Sequence, residues 1–284
     1  MTGVPTFLRK AMPPAPAPKG PVSCGSYALA AQGADWKFAL QHDRDKNFLL
    51  WVTRGQGRVI VNGVRRGVSM HSAVFLPAGT LFSIELPGTA QALYVESPPD
   101  MTSTFPHTPL HLRIRDGLAQ AELTGTIDTI SRELAQRRAY LDEAITAHTA
   151  LLAVWMNRQV SEGALDAAQE TAATRLVQRY AQQVTRDFAT SKLMADYADA
   201  LDVTPTHLTR VCRQSCGKTA ADILTERKLH AARIALARPK PAIQQVARDL
   251  GFASPAYFTR FIQNHTGQTP SALRRRASNR DRSA

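Results

Sequence analysis

No stretch of this 284-residue sequence approaches the ~18–20 consecutive apolar residues that a membrane-spanning helix needs, which argues against a transmembrane protein. Cysteine is rare, and Cys24, Cys212 and Cys216 are too few for a disulfide framework or a Cys-x-x-Cys zinc site. The first twenty residues also lack the continuous apolar segment of a secretory signal. From these absences we expect a cytoplasmic protein.

Acidic residues are scarce relative to basic ones, 23 against 35, so the formal net charge is +12. The surplus is uneven: residues 1–116 carry a net charge of +5, residues 117–170 carry −4, and residues 171–284 carry +11. A localised basic surplus is the electrostatic footprint of a domain that binds a polyanion such as DNA. A merely solvated basic surface would give the same counts, so charge alone leaves both interpretations open.

The length predicts two domains at about 150 residues each. Residues 1–24 contain six prolines and are predicted to form a flexible arm. Residues 25–112 contain short apolar runs of strand length, which are FLLWVTRG, GRVIVNG, VSMHSAVFLPAG, TLFSIEL and QALYVES. Asn62-Gly63 separates two such valine-rich stretches and predicts a type I′ hairpin turn. The series predicts a small β-barrel or sandwich.

Residues 113–160 are predicted to be helical. Their apolar residues recur at helical spacing, namely Leu123, Ile127, Ile130, Leu134, Leu141, Ile145, Leu152 and Trp155. The stripe is interrupted near Arg137 and Arg138, so one long helix and two antiparallel helices both remain open. The stripe could pack on the chain's own β domain or form a dimer seam, and we favour the seam because symmetric dimers are common. Residues 161–170 are predicted to be a linker.

The last 110 residues contain an internal repeat. The stretch TPTHLTR from Thr204 to Arg210 returns fifty positions later as SPAYFTR from Ser254 to Arg260. The sequence GKT that begins at Gly217 likewise returns as GQT fifty positions later. Two copies of one supersecondary unit are therefore predicted.

Each copy begins a helix, because Thr204 and Ser254 are good N-caps and each is followed by proline at the first helical position. A shorter helix and a tight turn precede it, which predicts a helix-turn-helix unit whose second helix enters the major groove. Gly251 and Asp202 are the residues suited to the two turns. The polar faces carry the candidate DNA-contacting residues Thr206, Thr209, Arg210, Arg213, Tyr257, Thr259, Arg260 and Gln263.

Residues 171–276 resemble the DNA-binding domain of the AraC/XylS family of bacterial transcription regulators. The resemblance is carried most specifically by the run from Gly251 to Arg274, GFASPAYFTRFIQNHTGQTPSALR, and by matching positions of the first unit. It implies two helix-turn-helix units that are joined by a long helix, here Ala220 to Ala237, and that read successive major grooves. Residues 277–284 would be a basic tail.

The amino-terminal half resembles, less sharply, the cupin-like effector domain of the same family, so the predicted fold class is α+β with a cupin-like β-barrel. A metal centre is not expected, because His42 stands alone and Phe82 occupies the position of a metal-binding histidine. The candidate effector contacts inside the barrel are Trp51, His71, Phe82 and Tyr94. Each of them could equally be a core residue.

We therefore predict a sequence-specific transcription regulator with no catalytic residues and no cofactor. Its expected partners are double-stranded promoter or operator DNA, a small organic effector, a second copy of the chain in a homodimer, and RNA polymerase. One alternative is a metal-dependent cupin enzyme fused to a DNA-binding domain. The other is an architectural DNA binder that responds to no effector.

Overall fold

A computed structural model describes residues 22–167 and 170–281. The amino-terminal part contains two antiparallel sheets and two short helices. In chain order they are β1 (Ser23–Ser26), α1 (Tyr27–Ala31), α2 (Trp36–Ala39), β2 (Asn47–Arg54), β3 (Gln56–Val61), β4 (Val64–Ser69), β5 (Ser72–Leu76), β6 (Phe82–Glu85), β7 (Gln91–Ser97) and β8 (Leu110–Arg113). Most of the predicted arm lies outside the described residues, but Ser23 and Cys24 belong to β1, so the sheet begins before the predicted boundary at residue 25.

The strands form a five-stranded sheet in the order β1-β7-β2-β5-β8 and a three-stranded sheet in the order β4-β3-β6. Hydrogen bonds between strands of the described chain leave these as two separate sheets, so the fold is α+β as predicted but a closed barrel is not formed. Asn62 and Gly63 have φ angles of 47° and 73°, which fits the predicted type I′ turn between β3 and β4. The run predicted as one strand from residue 68 to 79 is broken after Ser69, where His71 has a φ of 65°.

Strand β2 is buried on both of its faces. Phe48 and Leu50 face a core between the two sheets, and Leu49 and Trp51 face a second core on the other side. Successive side chains of a strand alternate between faces, so a strand covered on both sides must be apolar at nearly every position. This explains why its sequence is a continuous apolar run.

The second core is covered by α3 (Gly117–Gln136) and α4 (Leu141–Ser161). They are two helices rather than one, because Arg137 and Tyr140 adopt left-handed backbone angles that end the first and begin the second. Their apolar stripe packs on the sheet of the same chain: Ile130 is fully buried there, together with Leu123 and Leu152. The stripe is therefore not the predicted dimer seam, because its side chains already have an intramolecular partner.

The carboxy-terminal part is helical. Its elements are α5 (Ala172–Asp187), α6 (Met194–Asp199), α7 (Pro205–Cys216), α8 (Ala220–Ala237), α9 (Ile243–Asp249), α10 (Pro255–Thr266) and α11 (Pro270–Asp281). Helix α8 has the predicted limits of the connector. Helix α11 extends past the predicted domain end at residue 276, so residues 277–281 are not a separate tail. Among the residues described, no helix is both long and apolar enough to cross a bilayer.

Candidate nucleic-acid interface

The first helix-turn-helix unit is formed by α6 and α7. The side chain of Thr204 accepts a hydrogen bond from the backbone N–H of His207, and Pro205 occupies the first turn, so α7 starts where predicted. Asp202 has a φ of 58° in the turn between the helices, and Gly217 ends α7 in a left-handed conformation. Each local feature that the sequence suggested is present.

The second unit, α9 and α10, repeats this construction. Ser254 accepts from the N–H of Tyr257, and Gly267 ends α10 as Gly217 ends α7. Gly251 has a φ of 71° in the turn, and an added Cβ would lie 2.4 Å from the carbonyl oxygen of Thr190. The smallest residue is therefore required at this position by both conformation and space.

Two adjacent apolar cores hold the units. Leu208, Val211 and Cys212 bury one face of α7 against α5 and α8, whereas Phe258 and Ile262 bury one face of α10 against α8 and α9. Burial raises the pKa of the Cys212 thiol to about 12, which makes it a poor nucleophile at neutral pH. The cysteine therefore acts as a small core residue.

The opposite faces of α7 and α10 carry the predicted DNA-contacting side chains. All eight are exposed or partly exposed: Thr206, Arg210, Arg213, Tyr257, Arg260 and Gln263 are exposed, and Thr209 and Thr259 are intermediate. The structure thus brings each predicted set together on one helix face, away from the core. Their role in binding DNA stays a prediction.

Two contacts refine this set. Nη2 of Arg210 donates a hydrogen bond to Nδ1 of His207 at 3.0 Å. This contact orients the guanidinium and adds His207 to the residues of the polar face of α7. The hydroxyl of Thr259 donates to the carbonyl of Pro255 at 2.9 Å. The donor capacity of the Thr259 hydroxyl is thus used inside the helix, and Thr259 is a weaker candidate than Thr209, the equivalent residue of the first unit.

The four predicted effector contacts do not meet in one cavity. Trp51 lies on the helix-covered face of the five-stranded sheet, where it stacks on His71 at 5.9 Å and donates from Nε1 to Thr124 at 3.1 Å. Phe82 and Tyr94 lie on the other face, between the sheets. In the β2–β7 pairing Tyr94 lies opposite Leu50, and Trp51 lies opposite Leu93, so strand alternation puts Trp51 and Tyr94 on opposite faces. The sequence alone does not give this register.

His42 is buried, and its ring stacks on His230 of α8 with centroids 4.3 Å apart. Its Nδ1 lies 2.9 Å from the carbonyl oxygen of Leu40. Burial is the largest cause that lowers the pKa of both imidazoles, that of His230 to about 3, so both rings are neutral at pH 7. Across the part of the chain described, no group of three or more His, Cys, Asp or Glu side chains could hold a metal ion.

A set of residues that sequence reasoning missed joins the two halves of the protein. Arg227, at the middle of α8, forms an ion pair with Asp43, and the backbone N–H of Gln41 donates to Glu226. The guanidinium of Arg233 lies 4.2 Å from the centre of the Trp36 ring. The residues from the amino-terminal part lie in a short helix and loop with no periodicity, so no sequence pattern marked them.

A second contact between the halves is apolar. Ile60 and Leu81 of the three-stranded sheet pack in the same core as Val177 and Tyr180 of α5. Gly63 lies so close that an added Cβ would be 2.2 Å from Cγ1 of Val177. The first helix of the carboxy-terminal part therefore rests directly on the β3–β4 hairpin.

The comparisons with known proteins bear on the carboxy-terminal part. The family described as helix-turn-helix domain matches residues 197–276. The regulator GlxA of Rhizobium meliloti, described as an HTH-type transcriptional regulator, is 37% identical over 75 residues, which are 26% of this chain and 23% of that protein. AdaA of Bacillus subtilis, a bifunctional transcriptional activator/DNA repair enzyme, is 27% identical over 93 residues, 33% of this chain and 44% of AdaA.

Among solved structures, ToxT from Vibrio cholerae is 14% identical, with a TM-score of 0.42 over 89% of this chain and 96% of that chain. The chain spans less than half the length of the curated relatives it matches. Residues 197–276 match a helix-turn-helix domain, as the sequence predicted for this part of the chain. This chain therefore belongs with the proteins that carry a helix-turn-helix domain, and both of its curated relatives are described as transcription regulators or activators.

Proposed function

We propose that this protein is a sequence-specific DNA-binding transcription regulator whose cupin-like amino-terminal domain responds to a small organic effector. The observation that carries the proposal is the repeated unit, two capped helices with like polar faces fifty residues apart on one connector helix. The 18 residues of α8 span about 27 Å, close to the ~34 Å of one DNA turn. Such an arrangement suits two successive major grooves.

Base readout is assigned first to Arg210 and Arg260, because arginine can bind O6 and N7 of guanine with two hydrogen bonds. The exposed Thr206, Arg213 and Gln263 would supply the differences between the two half-sites. The backbone N–H groups of Thr206 and Ala256, at the starts of α7 and α10, would bind phosphates and set the register of the protein on DNA.

Effector response requires that the sheets and the DNA-binding part be mechanically connected. The packing of Gly63 on Val177 and the ion pair of Asp43 with Arg227 are two such connections. A shift of the hairpin or of the loop before β2 would therefore move α5 or α8. This supports regulation by a ligand rather than constitutive binding.

The proposal also includes a homodimer, contact with RNA polymerase and a location in the cytoplasm, where the promoter DNA lies. The protein is proposed to have no enzymatic activity. The dimer surface would be other than the stripe of α3 and α4, because that stripe is buried within one chain.

The test is a selection of binding sites from random duplex DNA by the full chain at fixed salt concentration. A regulator enriches an asymmetric motif with two parts ~10–10.5 base pairs apart. An architectural binder enriches none, and that outcome would refute sequence-specific regulation. Elemental analysis of the purified protein tests the enzyme alternative, since about one transition metal per chain would favour it.

A further inference from the structure

A cavity of about 430 Å³ lies where the two sheets meet α5 and the segment that follows α4. Val59, Val61 and Val74 give it an apolar wall from the sheets, and Leu165 and Gln178 line the side toward the DNA-binding part. Its volume is within the range of about 300–1,000 Å³ that is typical of small-molecule sites. It is separate from both pairs of effector candidates predicted from the sequence.

A buried histidine with unused hydrogen-bonding groups lines this cavity. His111 lies opposite Val74 in the β5–β8 pairing and is 7% exposed, and neither ring nitrogen has a hydrogen-bond partner. The nearest carboxylate oxygen, Oδ2 of Asp166, is 3.8 Å from Nδ1, too far for a hydrogen bond. Buried polar atoms are nearly always bonded, so these two nitrogens call for a polar partner that the described residues of the protein do not supply.

The charge of the ring defines that partner further. Burial, with Arg66 nearby, lowers the pKa of His111 to about 4, so the imidazole is neutral at pH 7. A neutral imidazole offers one N–H donor and one nitrogen acceptor. A hydroxyl or amide group can bond to either nitrogen, as acceptor or as donor, whereas a carboxylate can only accept and an ammonium can only donate.

The charged residues around the cavity disfavour an anion. The guanidinium of Arg66 is paired with Asp166, 3.1 Å from Oδ1, so its charge is already neutralised. Glu170 adds a second carboxylate to the lining. Because Asp166 is neutralised by the same pair, Glu170 is the remaining charge, and an anionic ligand would meet this negative group and no unpaired positive group among the described lining residues.

The cavity is also tied to the connection between the two halves. The backbone N–H of Asp166 donates to the carbonyl of His111 at 2.8 Å. Leu165 also forms an isolated antiparallel β-bridge with Leu112 of β8. Thr174 and Gln178 of α5 complete the lining on the opposite side. A molecule bound to His111 would thus contact the sheet, the interdomain segment and the first helix of the DNA-binding part.

We propose that this cavity binds an uncharged small molecule with an apolar body and a hydroxyl or amide group that hydrogen-bonds to His111. The binding site itself is argued from the geometry of the cavity. Its regulatory consequence is that a bound ligand shifts the affinity for DNA through α5, and this part rests on the proposed function. The ligand class is thus a neutral amphiphile rather than an acid, an amine or a metal ion.

Three probes with the same hexyl chain test the class: 1-hexanol, hexylamine and heptanoate, each titrated into the full chain and followed by saturation-transfer NMR. We expect 1-hexanol to bind saturably with a Kd in the millimolar range, as its seven heavy atoms allow. The amine and the acid should bind at least about tenfold more weakly. Equal or tighter binding of either ion would overturn the ligand class.

Two variants test the site. His111→Leu removes the hydrogen-bonding ring, and Val61→Phe fills the cavity while it keeps the histidine, so one variant is informative if the other fails to fold. Each should weaken 1-hexanol binding at least about fivefold. The exposed His107, which lies outside this lining, gives the matched control His107→Leu, which should bind 1-hexanol like the parent. Unchanged binding in the folded variants would overturn the site.

The regulatory part is tested by measuring the DNA affinity of the parent and of His111→Leu with and without saturating 1-hexanol, on the selected DNA site. A several-fold shift in the parent alone supports it. Binding of 1-hexanol without any shift in DNA affinity would overturn the regulatory role and leave the site. A parent that selects no DNA site would refute the proposed function, whatever 1-hexanol does.

Discussion

Asp43 of the loop that precedes β2 accepts a hydrogen bond from Nε of Arg227, at the middle of the helix that connects the two helix-turn-helix units. Arg227 is 8% exposed, and its guanidinium lies 3.6 Å from the centre of the Phe188 ring. A buried guanidinium of this kind needs its anionic partner, because an unpaired charge in a low-dielectric environment is strongly unfavourable. The ion pair therefore fixes the amino-terminal domain against the connector helix.

Asp43→Ala should destabilise the protein, because it leaves Arg227 buried without its counter-charge. We expect a loss of about 1–3 kcal/mol in the free energy of unfolding, measured by urea denaturation, since Asp43 itself is only partly buried. The exposed neighbour Asp45 provides the control Asp45→Ala, which should change stability by less than about 0.5 kcal/mol. Equal stability of the two variants would show that the pair does not hold the halves together.

Arg210→Ala and Arg260→Ala should each weaken specific DNA binding without loss of stability, because both side chains are exposed on the polar faces of their helices. A bidentate arginine–guanine contact is worth about 1–3 kcal/mol of discrimination between bases. Fluorescence anisotropy on the selected site and on base-substituted sites gives the measurement. Arg138→Ala, an exposed arginine of the amino-terminal part, is the control. Parent-like affinity and base preference in both variants would refute the assignment.

Ile130→Glu should unfold or strongly destabilise the amino-terminal part rather than dissociate a dimer. Ile130 is fully buried against the sheet of its own chain, and a carboxylate has no partner there. Thermal unfolding followed by circular dichroism measures the loss. Ala135→Glu, at an exposed position of the same helix, should melt like the parent. A stable Ile130→Glu variant that sediments as a smaller species would restore the dimer-seam interpretation.

Stability should fall as the pH is lowered from about 6.5 toward 4. His230 has a pKa of about 3 in the folded protein against about 6.5 when unfolded, so the unfolded chain binds more protons in this interval. The contribution of this histidine is complete above pH 6.5 and decreases by up to about 1.4 kcal/mol per pH unit below it. His230→Gln should make the urea-denaturation midpoint less dependent on pH. An unaltered pH dependence would contradict a buried neutral His230.

The helix-turn-helix half could be predicted nearly to the residue, because its signals are local. N-caps, prolines in the first turn and residues suited to positive φ fix each helix within a few positions of the chain. Thr204 and Ser254 illustrate this, since each cap hydrogen bond is made three residues away. Because the unit is repeated after fifty residues, each of these local signals occurs twice, and both copies predict the same structure.

The amino-terminal half was predictable only in outline, because its decisive contacts are distant in sequence. Strand β8 has only four residues and is recognised by its pairing with β5, not by its own pattern. The two ring nitrogens of His111 have no hydrogen-bond partner, and the carboxylate nearest to them, that of Asp166, is more than fifty positions away in the sequence. The packing of the helix pair on its own sheet also could not be distinguished from a dimer seam by periodicity, which is the same in both.

The most direct test of the central claim, that two units on one rigid connector read one asymmetric site, is the affinity of the full chain for a selected site with five base pairs inserted between its two parts. The insertion turns one groove to the opposite face, which α8 cannot follow as a continuous helix. The account predicts at least about tenfold weaker binding and loss of one of the two footprints, while replacement of five central base pairs without a change in length has little effect. Unchanged affinity and an unchanged footprint after the insertion would show that only one unit contacts DNA and would contradict the account.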